Sequence, residues 1–162
     1  MEKELAIGLN AELKIREVLV EDAESVAALS ASFGYPTRAD EMRSRIKELA
    51  GNGDRIAFAV VLHDEVVGWI DSAVERHLQS PPIVVIGGLV VRGDMRGKRI
   101  GHLLCQTVEQ WAVQIGIVAV RVRSQLKRAD AHRFYLRDGF KQVKVSAVFE
   151  KNLFPHTRAD GE

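Results

Sequence analysis

The sequence contains few of the features that mark secreted or membrane proteins. Its single cysteine, Cys105, excludes a disulfide within the chain, which is typical of proteins from a reducing compartment. No apolar run approaches the roughly 18 residues that a membrane-spanning helix requires. The N-terminal segment lacks the charged, apolar and small-residue order of a signal peptide. We therefore expect a soluble cytoplasmic protein without a membrane partner.

The chain also lacks an excess of charge of either sign. Its 23 lysines and arginines and its 22 aspartates and glutamates leave a formal net charge of +1. A surface that binds nucleic acid usually carries a strong basic excess, so we expect no nucleic-acid partner. A nucleic-acid module, the alternative, would bind with a steep dependence on salt. Any site for an anion must be local.

Hydrophobic periodicity predicts one α/β domain with a mixed sheet and helices on both faces. We place the domain at 13–153, between flexible segments at 1–12 and 154–162. Alternating runs such as "LKIREVLV" and "IVAVRVRS" predict strands, and residues 63–65 predict a hairpin turn. Apolar residues spaced by three and four predict a long helix from Ile100 to Gly116. With one or two final strands between Phe140 and Leu153, the order is β-α-α-β-β-β-α-β-α-β-β.

The run "IVVIGGLVV" predicts a strand that is covered on both faces. Gly87 and Gly88 would weaken an ordinary strand, so they indicate a bulge or the close approach of a ligand. The next residues, "VRGDMRGKRIGHLL", combine glycines with basic side chains at the start of the long helix. Such a turn directs backbone N–H groups and the positive end of the helix dipole at one point, which favours phosphate. A merely solvated basic turn is the alternative.

Two motifs carry a family resemblance. Leu89-Val90-Val91 followed by "RGKRIG" at 96–101 resembles the cofactor motif of the GNAT superfamily of acyl-CoA-dependent N-acetyltransferases, in which Leu-x-Val ends a bulged strand and [RQ]-x-x-G-x-[GA] opens a helix. Arg99 stands where the middle glycine is usual. "RADAHRFYLRDGF" resembles the family's N-x-x-A-x-x-F-Y-x-x-x-G-F, with Arg128 in place of asparagine. The resemblance covers about Leu13 to Leu153.

The resemblance implies a GNAT-like fold in which acetyl-CoA, the co-substrate, enters a cleft where two neighbouring parallel strands splay apart. The strand end at Leu89, Val90 and Val91 would hold the pantetheine arm and the thioester. Backbone N–H groups would hold the pyrophosphate, and these belong to Gly97, Arg99, Gly101 and His102. The implied cofactor-binding set also contains Arg96, Lys98, Ile100, Arg128, Ala131, Phe134 and Tyr135. No metal is implied.

The implied function is transfer of an acetyl group to a primary amine of a small molecule. The amine attacks the thioester directly, and Tyr135 is the general acid that protonates the CoA thiolate. Transfer to a protein N-terminus or lysine is one alternative, and a non-catalytic acyl-CoA-binding regulatory domain is another. A homodimer is left open.

The general base and the acceptor pocket are less visible in the sequence. Asp71, Glu75 and His77 follow the predicted hairpin as candidate bases, and we take Glu75 first. The pocket would be built by about 20–53 and 71–82. Its candidate contacts are Phe33 and Tyr35 as walls, Asp71 as a substrate ligand, and Asp40 and Glu41 as anchors for a cationic amine.

Overall fold

The computed structural model describes residues 12–154, which divide into one compact unit that ends at Gln125 and another that begins at Leu126. The first unit contains a mixed sheet with the strand order β1-β2-β3-β4-β5. Its strands are β1 (Lys14–Glu17), β2 (Arg55–Leu62), β3 (Glu65–His77), β4 (Ser80–Val91) and β5 (Val120–Val122). Its helices are α1 (Ala23–Ser32), α2 (Ala39–Leu49) and α3 (Ile100–Gln114), and the second unit contains α4 (Ala129–Arg137). The domain placed at 13–153 stays a prediction.

The predicted hairpin joins β2 to β3. Leu62 pairs with Glu65, so the turn consists of His63 and Asp64 alone. Both residues have positive φ angles, 48° and 65°. A two-residue turn with positive φ at both positions follows the natural twist of a hairpin, and aspartate tolerates this conformation better than most residues. The hairpin is therefore confirmed.

The connection from β4 to β5 determines the mixed character of the sheet. Strands β1 to β4 are antiparallel neighbours, whereas β4 and β5 are parallel. Parallel neighbours require a crossover, and α3 supplies it. This βαβ unit places the start of α3 directly after the end of β4.

Helices cover both faces of the sheet, as predicted. On one face Trp69 of β3 packs against a buried cluster that α1 and α2 form together, with members such as Val26 and Met42. On the opposite face a Cβ at the preceding residue, Gly68, would lie 3.4 Å from Ile100 of α3. Successive residues of a strand point to opposite faces, so α1 and α2 lie across the sheet from α3.

The interior face of α3 carries much of the core. Ile100, Leu104 and Val108 are at most 1% exposed and recur at helical spacing along one side of the helix. Burial of each such side chain contributes about 1.5–3 kcal/mol to the free energy of unfolding. The start of α3 is thereby fixed against the sheet, and the turn that precedes it is fixed too.

The final strands predicted between Phe140 and Leu153 are not formed in the described part of the second unit. Val143, Val145 and Val148 in this segment are exposed. Alternation gives a segment two different sides, but a strand also needs an edge that takes up its backbone hydrogen bonds. The pattern supplies the first condition and not the second, so this part of the predicted order was wrong.

Candidate active site

The turn between β4 and α3, called here the cofactor turn (residues 96–101), is shaped by left-handed backbone. Gly97 has a φ of 76° and Arg99 a φ of 63°. Arg99 is the residue that caps α3, since its carbonyl accepts the Leu103 N–H at 3.0 Å. An L-residue is strained in this conformation, which explains why glycine is usual there. The Arg99 side chain itself is exposed.

Backbone donors and positive charge come together at the cofactor turn. The first N–H groups of a helix have no acceptor within the helix, and here they include those of Ile100 and Gly101. Ile100 is 1% exposed and anchors this end of α3. The side chains of Arg96, Lys98 and Arg99 are exposed around it. The arrangement suits a diphosphate, which helix dipole and arginine both favour.

The edge of β4 that leads to the cofactor turn is open. Strands β4 and β5 pair from Val84 and Val120 to Ile86 and Val122. Beyond Ile86, β4 continues to Val91 without a partner on the β5 side in the described part of the chain. Backbone donors and acceptors at such an edge are available to an extended ligand. This open edge lies where the cleft between splayed strands is predicted, and it leads to the cofactor turn.

Gly87 and Gly88 lie at the point where the cleft begins. Asp71 of β3 pairs with Gly88 and Ser72 pairs with Ile86, so Gly87 is the extra residue of a β-bulge. A Cβ at Gly87 would lie 2.8 Å from Asp71 Oδ2. A Cβ at Gly88 would lie 2.8 Å from the Trp69 ring and 2.9 Å from Asp71 Oδ1. The predicted bulge is confirmed, and both glycines leave room for a carboxylate at the mouth of the cleft.

Asp71 has the environment of a weak acid. Burial raises the pKa of its carboxyl, against the opposing effects of the nearby Arg55 charge and of the Gly88 N–H that donates to it. A raised pKa in a cleft is characteristic of groups that exchange protons during catalysis. Its carboxylate lies against Gly87 and Gly88 of β4, the strand whose opposite edge is open.

Glu75, four residues further along β3 and on the same face, has the opposite environment. Arg123 donates to both of its carboxylate oxygens, at 2.8 and 2.9 Å. This pair, with a smaller contribution from His77, lowers the pKa of Glu75 to about 2. A carboxylate held in this way accepts a proton poorly. The structure therefore separates Asp71 from Glu75, which the sequence had grouped together.

The structure brings one predicted acceptor residue to the cofactor turn. The Arg96 guanidinium lies over the ring of Phe33, with Cζ 5.0 Å from the ring centroid. Phe33 ends α1 and is half-buried, whereas Tyr35 in the following loop is 60% exposed. Asp40 is held by Arg38, whose guanidinium donates to both of its carboxylate oxygens. Asp40 is therefore already paired and is a weak anchor for a cationic amine.

Tyr135 lies in the second unit, on α4. Its ring forms edge-to-face contacts with Phe134 and Phe140, at centroid distances of 5.2 and 5.6 Å. Gly139 ends the helix with a φ of 90°, as its motif position predicts. Arg128, the residue that replaces the family's asparagine, is the N-terminal cap residue of α4. The motif thus folds as one helix and its C-terminal turn.

The strand end, the glycine turn and the motif helix agree with a sequence comparison. Residues 21–140 match the model of the acetyltransferase (GNAT) family. The chain belongs to this family. It is an N-acetyltransferase that uses acetyl-CoA, and the open β4 edge and the cofactor turn fit that co-substrate.

The acetyltransferase is similar to several proteins whose names specify a small amine as the substrate. The chain is 33% identical over 136 residues to the aminoalkylphosphonate N-acetyltransferase of Salmonella typhimurium, covering 80% of this chain and 85% of the relative. An aminoglycoside N-acetyltransferase in complex with CoA shares the fold, with a TM-score of 0.78, 15% identity and coverage of 86% and 94%. Glucosamine-6-phosphate N-acetyltransferase from Arabidopsis thaliana shares it with a TM-score of 0.69, 17% identity and coverage of 85% and 99%.

The described part of the acetyltransferase contains neither a cluster of metal ligands nor a helix that could span a membrane. Within residues 12–154, no group of three or more histidine, cysteine, aspartate or glutamate side chains could hold a metal ion. None of the described helices is long and apolar enough to cross a membrane.

Sequence reasoning missed two arginines that share a sheet face with Asp71. Arg55 of β2 and Arg121 of β5 lie in the same row across the sheet, through Ala73 and Val85. Neither belongs to a recognised motif. The signal that would have found them is strand register, which alternation alone does not provide.

Proposed function

We propose that the acetyltransferase transfers an acetyl group from acetyl-CoA to the primary amine of a small molecule, by direct attack in a ternary complex. The observation that carries the proposal is the Asp71 carboxylate, which lies against Gly87 and Gly88 where the cleft opens. The named substrates of the relatives support a small acceptor, since they are aminoalkylphosphonates, aminoglycosides and glucosamine-6-phosphate.

Each partner has a defined role in this reaction. The amine nitrogen forms a bond to the thioester carbon, and the bond from that carbon to sulfur breaks. Asp71 accepts the proton that the attacking nitrogen loses, and Tyr135 donates a proton to the leaving thiolate. A phenol with a pKa of about 10 is a suitable donor to a thiolate whose conjugate acid has a pKa near 8.5. The products are the N-acetyl amine and free CoA.

Asp71 replaces Glu75 as our candidate base for a physical reason. A base that accepts a proton at neutral pH works best when its pKa is near the working pH. Burial moves the pKa of Asp71 in that direction, whereas Arg123 moves that of Glu75 to about 2. In this proposal Glu75 positions Arg123 and has no part in proton transfer.

Thermal unfolding with acetyl-CoA, followed by a thiol-release assay on a panel of amines, tests the proposal. A ligand at 100 times its Kd adds roughly 2.7 kcal/mol to the free energy of unfolding, which raises the Tm of a domain of this size by about 5–10 °C. We expect this shift and amine-dependent release of CoA. A shift with no release for any amine would favour the regulatory alternative. No shift with any acyl-CoA would overturn the assignment.

The role of Tyr135 is tested by Tyr135→Phe. We expect kcat to fall by about 100-fold or more, the usual contribution of a positioned general acid, while the acetyl-CoA-induced shift in Tm is retained. Phe140→Leu is the matched control, because it removes a neighbouring ring contact and keeps the phenol. An unchanged kcat in Tyr135→Phe would exclude the general-acid role.

A further inference from the structure

Two arginines flank Asp71 on one face of the sheet. Arg55 pairs with Ala73 of β3, Ala73 pairs with Val85 of β4, and Val85 pairs with Arg121 of β5. Directly opposed residues of neighbouring strands point to the same face. The row is therefore a small, apolar floor with a guanidinium group at each end.

The adjacent row contains Asp71, between Ala57 of β2 and Gly88 of β4. Arg55 is thus the diagonal neighbour of Asp71, at a typical Cα separation of about 7–8 Å, which long side chains span. Its charge acts on the Asp71 carboxylate. We call Arg55, Asp71, Ala73 and Arg121 the acceptor face.

Neighbouring arginines form ion pairs with carboxylates, whereas the two arginines of the acceptor face do not. Arg76 donates to both oxygens of Asp54, and Arg123 does the same to Glu75. Within residues 12–154, neither Arg55 nor Arg121 forms an ion pair or a side-chain hydrogen bond. Two unpaired guanidinium groups on one face of the sheet supply positive charge for a small anion.

We propose that the acceptor is a small primary amine that also carries an anionic group, which Arg55 and Arg121 bind while the amine nitrogen lies at Asp71. The anion is a phosphonate, phosphate or carboxylate. This inference rests on the proposed acetyl transfer. A polycationic acceptor would instead bring its further ammonium groups against two guanidinium groups, so the acceptor face disfavours it.

Matched amines and matched variants test the proposal. Thiol release is measured with 2-aminoethylphosphonate, O-phosphorylethanolamine, β-alanine, n-propylamine and spermidine. We expect the KM of the preferred anionic amine to rise about 10- to 100-fold in Arg55→Gln and in Arg121→Gln, as for a lost hydrogen bond to a charged group. The KM of n-propylamine, which has no anionic group, should rise much less than that of the anionic amine in both variants. Arg76→Gln, which removes an arginine that Asp54 already neutralises, should leave every KM unchanged.

The outcomes separate this inference from the proposed function. The inference is overturned if spermidine or n-propylamine has a kcat/KM equal to that of the anionic amines, or if Arg55→Gln and Arg121→Gln leave the KM of the anionic amines unchanged. If no amine releases thiol, the proposed function fails. Equilibrium binding of 2-aminoethylphosphonate in the presence of CoA then still decides the inference, since Arg55→Gln should raise its Kd by the same factor of about 10 to 100. The acetyl-CoA-induced shift in Tm shows that each variant is folded.

Discussion

The cofactor turn and the mouth of the cleft both depend on glycine, for opposite reasons. Gly97 of the turn has a φ of 76°, and no atom lies within 4 Å of the position of its Cβ. Gly87 and Gly88 lack such a φ, but a Cβ at either would lie 2.8 Å from a neighbouring side-chain atom. Backbone conformation requires glycine in the first region, and side-chain packing requires it in the second.

This difference indicates how each region acts. The cofactor turn presents backbone N–H groups, so it tolerates an outward side chain, as Arg99 shows. The acceptor face presents side chains, so its chemistry depends on individual residues such as Asp71 and Arg55. We expect substitutions in the turn to change acetyl-CoA affinity and substitutions on the face to change turnover or acceptor KM. A single substitution that changes both acetyl-CoA affinity and the acceptor KM would contradict this division of roles.

The largest effect is expected from Asp71→Asn. Asparagine keeps the shape of the side chain and can accept the Gly88 N–H, but it is not a base. We expect kcat/KM for the amine to fall by about 100-fold or more, with the acetyl-CoA-induced shift in Tm retained. Glu75→Gln should cost much less. A larger loss in Glu75→Gln than in Asp71→Asn would restore Glu75 as the base.

The same variant has a signature in pH dependence. The wild-type kcat/KM should rise with pH through the raised pKa of Asp71, because only the carboxylate accepts a proton. The folded protein binds this proton more tightly than the unfolded chain does, so the contribution of Asp71 to stability is present at acid pH and is lost as pH rises through its folded pKa. Asp71→Asn should therefore have a higher Tm than wild type at pH 7, and this advantage should vanish below pH 4. If Asp71→Asn instead had a lower Tm than wild type at pH 7, the conclusion that the ionised Asp71 carboxylate is unfavourably buried would be wrong.

A smaller effect is expected from Gly97→Ala, which tests the backbone character of the cofactor turn. Alanine in left-handed conformation is strained by about 1–2 kcal/mol, and the surrounding space offers no steric reason for a loss. We expect the Kd of acetyl-CoA to rise by up to about 30-fold, with the KM of the amine unchanged. The measurement is calorimetric titration with acetyl-CoA.

Arg99→Gly is the matched control for Gly97→Ala. Glycine relieves the strain at a φ of 63° but loosens the unfolded chain by about 0.4–1 kcal/mol, so the net change in stability is small. The backbone N–H groups remain, and acetyl-CoA affinity should change less than in Gly97→Ala. A greater loss in Arg99→Gly would mean that the guanidinium, and not the backbone, holds the pyrophosphate.

The cofactor turn could be predicted from the sequence because its parts are consecutive. A strand end, two glycines and a helix start follow each other within a few residues, so local rules suffice. The acceptor face could not be predicted in this way, since Arg55, Asp71 and Arg121 meet only through strand register. The bulge at Gly87 shifts that register by one residue, and a shift of one residue exchanges the two faces of a strand.

Pairing between distant residues also explains why the sequence favoured Glu75 as the base and predicted strands after Phe140. Glu75 is a reasonable base until Arg123, far along the chain, binds both of its oxygens. The strands expected after Phe140 have the right alternation, but alternation does not supply the edge on which they would pair. Local patterns therefore predicted the elements and the cofactor turn, and tertiary pairing decided the rest.

The smallest effect is expected at Phe33, a predicted wall of the acceptor pocket that contacts Arg96 of the cofactor turn. The Arg96 guanidinium over the Phe33 ring contributes about 0.5–1 kcal/mol as a cation–π contact at an exposed site. Phe33→Leu should raise the KM of acetyl-CoA, the amine or both by about two- to fivefold, with kcat unchanged. Phe33→Tyr keeps the ring face and should behave as wild type. Combination of Phe33→Leu with Arg96→Gln should cost less than the sum of the two changes. Additive losses would mean that the cofactor turn and the end of α1 are not energetically coupled through this contact.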